Sequence, residues 1–454
     1  MTKLYALLLS LTLTALSVGC KKDVDILTPT PEDPIDVPTP GEPRPGKVCP
    51  VGTPLGDDSF VGTTIGPAGG KLTSTNLGLT INVPAGAVES TQTFSAEAIT
   101  NTVPQGLGLG FRLAPHGITF KKPVTISVRY NPKNLSGTFP QALVMAYQSD
   151  KGIWRIPSTK RWVDTTAHTV NIETTHFSDW AVMQRVVLVP ATTALKPGAS
   201  LILHARGYPN ELDIPYPGGA SGTDVDIPEP ETVTLVDETS WKYSGAGQLK
   251  PAITTATYTA PATPPARNPV SVSVKLKGPT VIDGNTVNEI WLVSNIYVAD
   301  EGITYRINGG PWVKTSVSQG GQIQMTDNGR VFLMVGASIT TGITISNMNI
   351  PIPDGGMTEG TSGTYEQNWS KNGSGPKFLL SDNSGPYVYV NYYNIVEQTF
   401  DSPGSLVFSQ FGKVGEPIIG TFLLEKAGRN RPGQKDDFST TAVIDGFFRV
   451  TRTK

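Results

Sequence analysis

Apolar and polar residues alternate with a period of two along most of this chain, as in Leu77-Gly78-Leu79-Thr80-Ile81-Asn82-Val83 and Val124-Thr125-Ile126-Ser127-Val128-Arg129-Tyr130. An extended strand sends successive side chains to opposite faces, so such runs predict half-buried β-strands. They are separated by Pro, Gly and Asn turns about every eight to twelve residues, the spacing of antiparallel sandwiches. The pattern persists through ITYRINGGPWV, GRVFLMVGASI, YVYVNYYNIV, EPIIGTFLLEKA and AVIDGFFRVTR, and long amphipathic helical patterns are absent. The expected fold is all-β: three tandem β-sandwich-type domains over 59–184, 185–299 and 300–454, the last a sandwich or a small barrel.

Two stretches break the alternation. Residues 1–19 begin MTKLYALLLSLTLTALSVG, a lysine and an apolar run from Leu4 to Val18, too short for a stable membrane-spanning helix. Ser17-Val18-Gly19-Cys20 resembles a lipobox, the site at which lipoprotein signal peptidase cuts, which implies that Cys20 becomes the lipidated first residue of the mature chain. Each buried acyl methylene contributes about 0.8 kcal/mol, so two or three chains hold a protein on a membrane without any spanning helix. Lys21 after the cysteine resembles outer-membrane cargo, and Lys21-Lys22-Asp23 is similar to a lysine-plus-acid signal for surface export; the same residues read equally as solvated linker. The expected location is the outer membrane, lipid-anchored and surface-exposed. From Lys21 to about Asp58 the chain is dense in proline, threonine and acids and too polar to bury a core, so it reads as a disordered tether. Extended at ~3.1 Å per residue, it reaches on the order of 100 Å.

Composition narrows the partners. With 36 Lys and Arg against 38 Asp and Glu the net charge is −2, which provides no overall basic field, and nucleic acid is excluded as a designed partner. The 48 glycines and 38 prolines suit strands joined by tight turns. Once Cys20 is acylated, Cys49 has no intramolecular partner; placed in the tether, it can at most crosslink two chains. No cofactor and no metal site are expected.

In the first domain GPAGGKLTSTNLGLTINVPAGAV, LAPHGITFKKPVTISVRY and GIWRIPSTKRWVDTTAHTVNIETTHFSDWAV occur in that order, and together they resemble the ZU-five domain of ankyrins and netrin receptors in its bacterial form. Some animal members of this family cut their own chain before a hydroxyl residue in such a sequence. The resemblance thus implies Ser178 as nucleophile on the Phe177 carbonyl and His176 as the base that takes its proton. The plainer reading is that Phe177 and Trp180 fill the core and Ser178 makes a turn hydrogen bond. The partner domain and death domain that usually follow in the self-cleaving animal proteins are lacking. His116 and His168 have no Cys, Glu or second His at metal-ligand spacing and read as surface histidines.

The second domain carries Trp241, Tyr243 and Tyr258 at turn-separated spacing, and ATYTAPA followed by Val270-Ser271-Val272-Ser273-Val274 resembles the immunoglobulin-like repeats of bacterial surface proteins. With no Cys pair between sheets, Trp241 is expected in the core. The insertion YPNELDIPYPGGASGTDVDIPEPE offers Glu211, Asp213, Asp224 and Asp226 as oxygen ligands for calcium, without EF-hand spacing; a solvated loop is the competing reading.

In the third domain Gly420-Thr421-Phe422 and Gly446-Phe447-Phe448-Arg449-Val450 resemble the closing strands of C-terminal domains in bacterial surface lipoproteins. If the chain runs extended through 387–393, Tyr387, Tyr389 and Tyr393 share a face with Asn391. Such a stripe is a candidate glycan platform; cross-strand tyrosine pairing is the other explanation. Four scattered histidines, no GxSxG elbow, no HExxH and no phosphate loop argue against an enzyme on an external substrate, although two distant carboxylates of a glycosidase would escape this reading. The expected function is binding, adhesion or scaffolding at the cell envelope toward a glycan or surface protein, with autoproteolysis between Phe177 and Ser178 as the alternative.

Overall fold

The structure is a computed structural model that describes residues 45–454 apart from 55–59, 76, 133–134, 209–222, 233–235, 278–279, 283–284, 288, 327–328, 339–340, 349–364, 373–374, 383–385, 397 and 432–436. Cys20, the apolar leader and most of the proline-rich segment, together with Glu211 and Asp213, lie outside the described residues. The protein is all-β, and residues 44–454 form one compact unit.

The N-terminal part is a two-sheet sandwich. One sheet orders Phe60–Ile65, Gln92–Ile99, Gly106–Ala114, Asp179–Gln184, Leu143–Gln148, Trp154–Ile156 and Val225–Asp226; the other orders Gly70–Ser74, Leu79–Val83, Val124–Arg129, Thr169–Thr174 and Arg161–Asp164. Alternation buries one face of each strand: in Val124–Arg129, Val124, Ile126 and Val128 go inward while Thr125, Ser127 and Arg129 do not. Phe94, Phe120 and Phe177 interlock between the sheets, with ring centroids 4.8 to 5.8 Å apart, an arrangement that adds aromatic pairing to area burial.

The strand Asp179–Gln184 is buried at every position. Its continuous apolar run, Trp180-Ala181-Val182-Met183, is what a strand covered on both faces requires. The second cover is a separate cluster of Cys49, Val103, Val144, Ala146, Trp154, Ile156, Ala181, Met183, Tyr208 and Ile227. Residues 45–54 therefore do not behave as the tether expected of them. Cys49 is only 6% exposed, its N–H donates to Gly152 O at 2.8 Å, and Gln148 Nε2 donates to Cys49 O at 3.0 Å. Burial raises the Cys49 thiol pKa, so this thiol packs as a small apolar group rather than crosslinking chains.

The next part pairs Val186–Val189, Ser200–Gly207, Thr255–Thr259 and Gln248–Pro251 in one sheet, with Glu231–Thr232 beside Ser200–Gly207, and Thr192–Leu195, Trp291–Val298, Val270–Lys275 and Lys242–Ser244 in the other. Trp241 and Tyr258 are buried in its core with Val270, Val272 and Val274.

The C-terminal part is a closed barrel. Gly302–Ile307, Val313–Thr326, Gly329–Ala337, Thr341–Met348, Lys377–Asp382, Tyr387–Val390, Pro417–Asn430 and Thr440–Thr451 pair in antiparallel succession, and Pro417–Asn430 bonds both Tyr387–Val390 and Thr440–Thr451. Closure removes exposed edges around this ring; Ser405–Phe411 also pairs with Pro417–Asn430, and Tyr365–Asn368 follows it as a terminal strand. At the seam Gly420 faces Phe448 and Phe422 faces Gly446. A Cβ at either glycine would collide with the facing ring, so each glycine makes room for its neighbour's phenyl. The lumen is filled by Ile303, Phe332, Met334, Ile345, Phe378, Phe408 and others. The outer wall carries polar groups such as the Arg306–Asp445 ion pair at 2.9 Å. This apolar lumen differs from the polar interior of a transmembrane barrel. Among the described residues no helix is long and apolar enough to cross a membrane.

The barrel is seated on the preceding sandwich. Tyr297 stacks on Phe447 at 4.3 Å, Trp312 meets the same ring at 5.5 Å, and burial pushes the Tyr297 phenol up to about 12.

Candidate functional site

The tyrosine stripe is divided by its own backbone. The strand Tyr387–Val390 ends before Asn391, and Tyr392–Ile395 pairs instead with Gln398–Asp401 in a separate hairpin. Tyr389 is 6% exposed and Asn391 3%. Asn391 Oδ1 accepts from Phe378 N–H at 3.1 Å, so these two members belong to the barrel interior and not to a platform. Tyr387 is half-buried and packs against the barrel core, while Tyr392 and Tyr393 are half-buried in the hairpin.

Each of these three rings lies under a cation. Lys371 Nζ stands 4.2 Å from the Tyr392 centroid and Lys426 Nζ 5.3 Å from that of Tyr393. The Arg429 and Arg431 guanidinium carbons are 4.8 Å and 5.5 Å from that of Tyr387. Tyr393 also stacks on Phe400 at 5.7 Å and 28°. Arg431 Nη2 lies 3.4 Å from the Tyr387 hydroxyl, and this contact, with its charge, draws the Tyr387 phenol below its ordinary pKa. The hairpin reaches the barrel wall because Gly428 has no side chain: a Cβ there would run into Tyr392 O and Phe438. Lys371, Lys426, Arg429 and Arg431 form no ion pair among the described residues. Sequence reasoning missed all four cations. The available signal was Lys426-Ala427-Gly428-Arg429-Asn430-Arg431, three positive charges without an acid in a chain whose net charge is −2.

The His176-Phe177-Ser178 segment is held differently from a nucleophile and its base. Phe177 is 4% exposed. The Ser178 hydroxyl donates to Gln148 O at 2.5 Å. The His176 ring packs on Tyr147 at 4.7 Å and on Trp180 at 5.8 Å, with Nδ1 3.4 Å from Thr174 Oγ1. Burial lowers the His176 pKa, against a raising influence from Asp224. The Ser178 proton is thus committed to a backbone carbonyl and no contact joins it to the imidazole. Intact-mass analysis of residues 21–454 and of the Ser178→Ala variant is therefore expected to give one full-length species for each; two fragments in the parent that merge in the variant would overturn this.

The two described candidates for calcium, Asp224 and Asp226, are likewise engaged. Asp224 Oδ2 accepts from the Tyr147 hydroxyl at 2.6 Å, and Oδ1 accepts from Ser158 N–H at 3.0 Å and Ser158 Oγ at 3.2 Å. Asp226 pairs with Arg155 at 2.6 Å. Among the described residues no group of three or more His, Cys, Asp or Glu side chains could hold a metal. His116 is exposed and His168 packs on Tyr130 at 5.7 Å. No family model matches the chain, and no curated protein matches it.

Proposed function

We propose that this is a lipid-anchored protein of the outer membrane, displayed at the cell surface, that binds a glycan or surface protein and acts in adhesion or scaffolding rather than catalysis. One observation carries the binding role: the hairpin rings Tyr392, Tyr393 and Phe400, which each lie against a cation or another ring. The sandwich of the first part and the strand Val186–Val189, which continues into the opposite sheet as Thr192–Leu195, support a ZU-five-like unit followed by an immunoglobulin-like one. The apolar leader, Cys20 and the proline-rich stretch support the anchor. Expressed in a Gram-negative host, the full chain should partition into the detergent phase and be digested by protease added to intact cells, while Cys20→Ser should move it to the aqueous phase. An unchanged partition in Cys20→Ser would remove the lipid anchor from this reading. Purified residues 21–454 should be retained on at least one immobilised polysaccharide; retention on none would remove the glycan.

A further inference from the structure

We infer that the hairpin of Tyr392–Ile395 and Gln398–Asp401 docks on an anionic lipid surface, entering it tip first at Ile395 and Val396 while its rings and two lysines stay at the headgroups. The inference goes beyond the glycan or protein partner proposed above. Val396 is 92% exposed, more than any other large apolar side chain among the described residues, with Ile395 at 52% and Phe400 at 39%. Val396 also holds φ +56°, a left-handed conformation that a β-branched residue rarely takes. Because Ile395 pairs with Gln398, Val396 stands at the start of a tight turn, where asparagine or glycine is favoured. A valine there strains the backbone and buries almost nothing within the chain, so its apolar surface is left for a contact outside it.

Register orders the rest of the hairpin by distance from the tip. Asn394 pairs with Thr399, Tyr393 with Phe400 and Tyr392 with Asp401, so Tyr393, Ile395, Gln398 and Phe400 share one face of the ribbon. The polar pair behind the tip satisfies itself, Thr399 Oγ1 donating to Asn394 Oδ1 at 3.0 Å. Tyr393 is three residues back from Val396, roughly 10 Å along the strand, the depth to which interfacial segments enter a bilayer. Aromatic rings favour the headgroup level. At that level Lys371 Nζ stands 4.2 Å from the Tyr392 centroid and Lys426 Nζ 5.3 Å from that of Tyr393. Successive strand residues face opposite ways, so each face of the ribbon carries one lysine. Neither lysine forms an ion pair among the described residues, and each ammonium is attracted by an anionic leaflet. Asp401 Oδ1 is engaged by the Lys371 N–H at 2.6 Å. Glu397 follows Val396 in the sequence, and its carboxylate opposes deep entry and keeps the contact interfacial.

The test uses residues 21–454, without Cys20, so that an N-terminal lipid contributes nothing. Vesicles of phosphatidylcholine mixed with phosphatidylglycerol should sediment the protein more strongly than phosphatidylcholine alone, and less as salt rises. Ile395→Ser with Val396→Asn should lower vesicle affinity roughly tenfold or more. Asparagine suits the left-handed turn, so this variant keeps the hairpin. Lys371→Gln with Lys426→Gln should remove the preference for the anionic vesicles. Lys196→Gln with Lys250→Gln, exposed on the preceding sandwich, should change nothing. No sedimentation with either vesicle would overturn the inference, and so would a tip variant that binds as the parent does. Equal loss in the two lysine pairs would mean unspecific charge attraction and overturn it too. The vesicles carry no sugar, so these results stand whether or not an immobilised polysaccharide retains the protein.

Discussion

Replacing Tyr389 by alanine is expected to destabilise the barrel by about 3 to 5 kcal/mol, the range for deleting a large buried aromatic side chain, and to leave polysaccharide affinity intact below the shifted transition. Tyr389 is 6% exposed among Phe378, Leu380 and Leu424, so the loss combines removed apolar contact with the void left behind. Calorimetry on residues 21–454 reads the first effect as a lowered transition of the barrel, and polysaccharide binding at a temperature where the variant is folded reads the second. A variant that melts normally but no longer binds would place Tyr389 in the binding surface and return the original stripe.

That contrast locates what the sequence made legible. Period-two alternation is a local property, so the strands, the all-β class and the burial of Phe177, Trp180 and Trp241 follow from residues that neighbour one another. The tyrosine stripe failed because the same rule assumes an unbroken strand. Tyr389 is buried because its face of Tyr387–Val390 lines the barrel core, and at Asn391 the chain leaves the barrel wall and starts a hairpin, which resets the phase and brings out Tyr392. The placing of cations over the rings was illegible for another reason. Lys371 is far from Tyr392 in sequence, and its place above that ring depends on how the hairpin packs on Gly428.

Cys49 shows the limit from the other side. Proline-rich composition correctly signals that a segment cannot build a core alone. It does not signal that residues 45–54 can be held by backbone hydrogen bonds against a sheet that already exists, as Lys47 N–H to Ile227 O and Cys49 N–H to Gly152 O hold them, both at 2.8 Å. The outer face of Asp179–Gln184 did carry a hint, since its unbroken apolar run needs a second cover.

The largest pH effect is expected where the segment at Asp224 meets the first sandwich. Val225–Asp226 pairs with Trp154–Ile156, and Asp224 beside it receives three hydrogen bonds from Tyr147 and Ser158. Burial pushes the Asp224 pKa up, but these donors and the nearby His176 outweigh it and hold the carboxyl below its usual value. Burial also raises the Tyr147 phenol, to about 12 with help from Asp224, so it remains a donor throughout the physiological range. An acid depressed in the folded state stabilises fully above its unfolded pKa of about 3.9, and that contribution disappears as pH falls through the folded value. His176 acts earlier. Its folded pKa is depressed, so below about 6.5 the unfolded chain takes up a proton that the folded chain resists, and stability declines. Acid unfolding of this sandwich should therefore proceed in two falls, one beginning below about pH 6.5 and one below about pH 4. His176→Gln should remove the first and spare the second. Asp224→Ala should cost about 2 to 3 kcal/mol at pH 7, because it strands the Tyr147 and Ser158 donors, and should flatten the second. Fluorescence-monitored urea titrations between pH 3 and 8 measure both; a single fall near pH 4 that is unchanged in His176→Gln would show that the imidazole is not linked to folding.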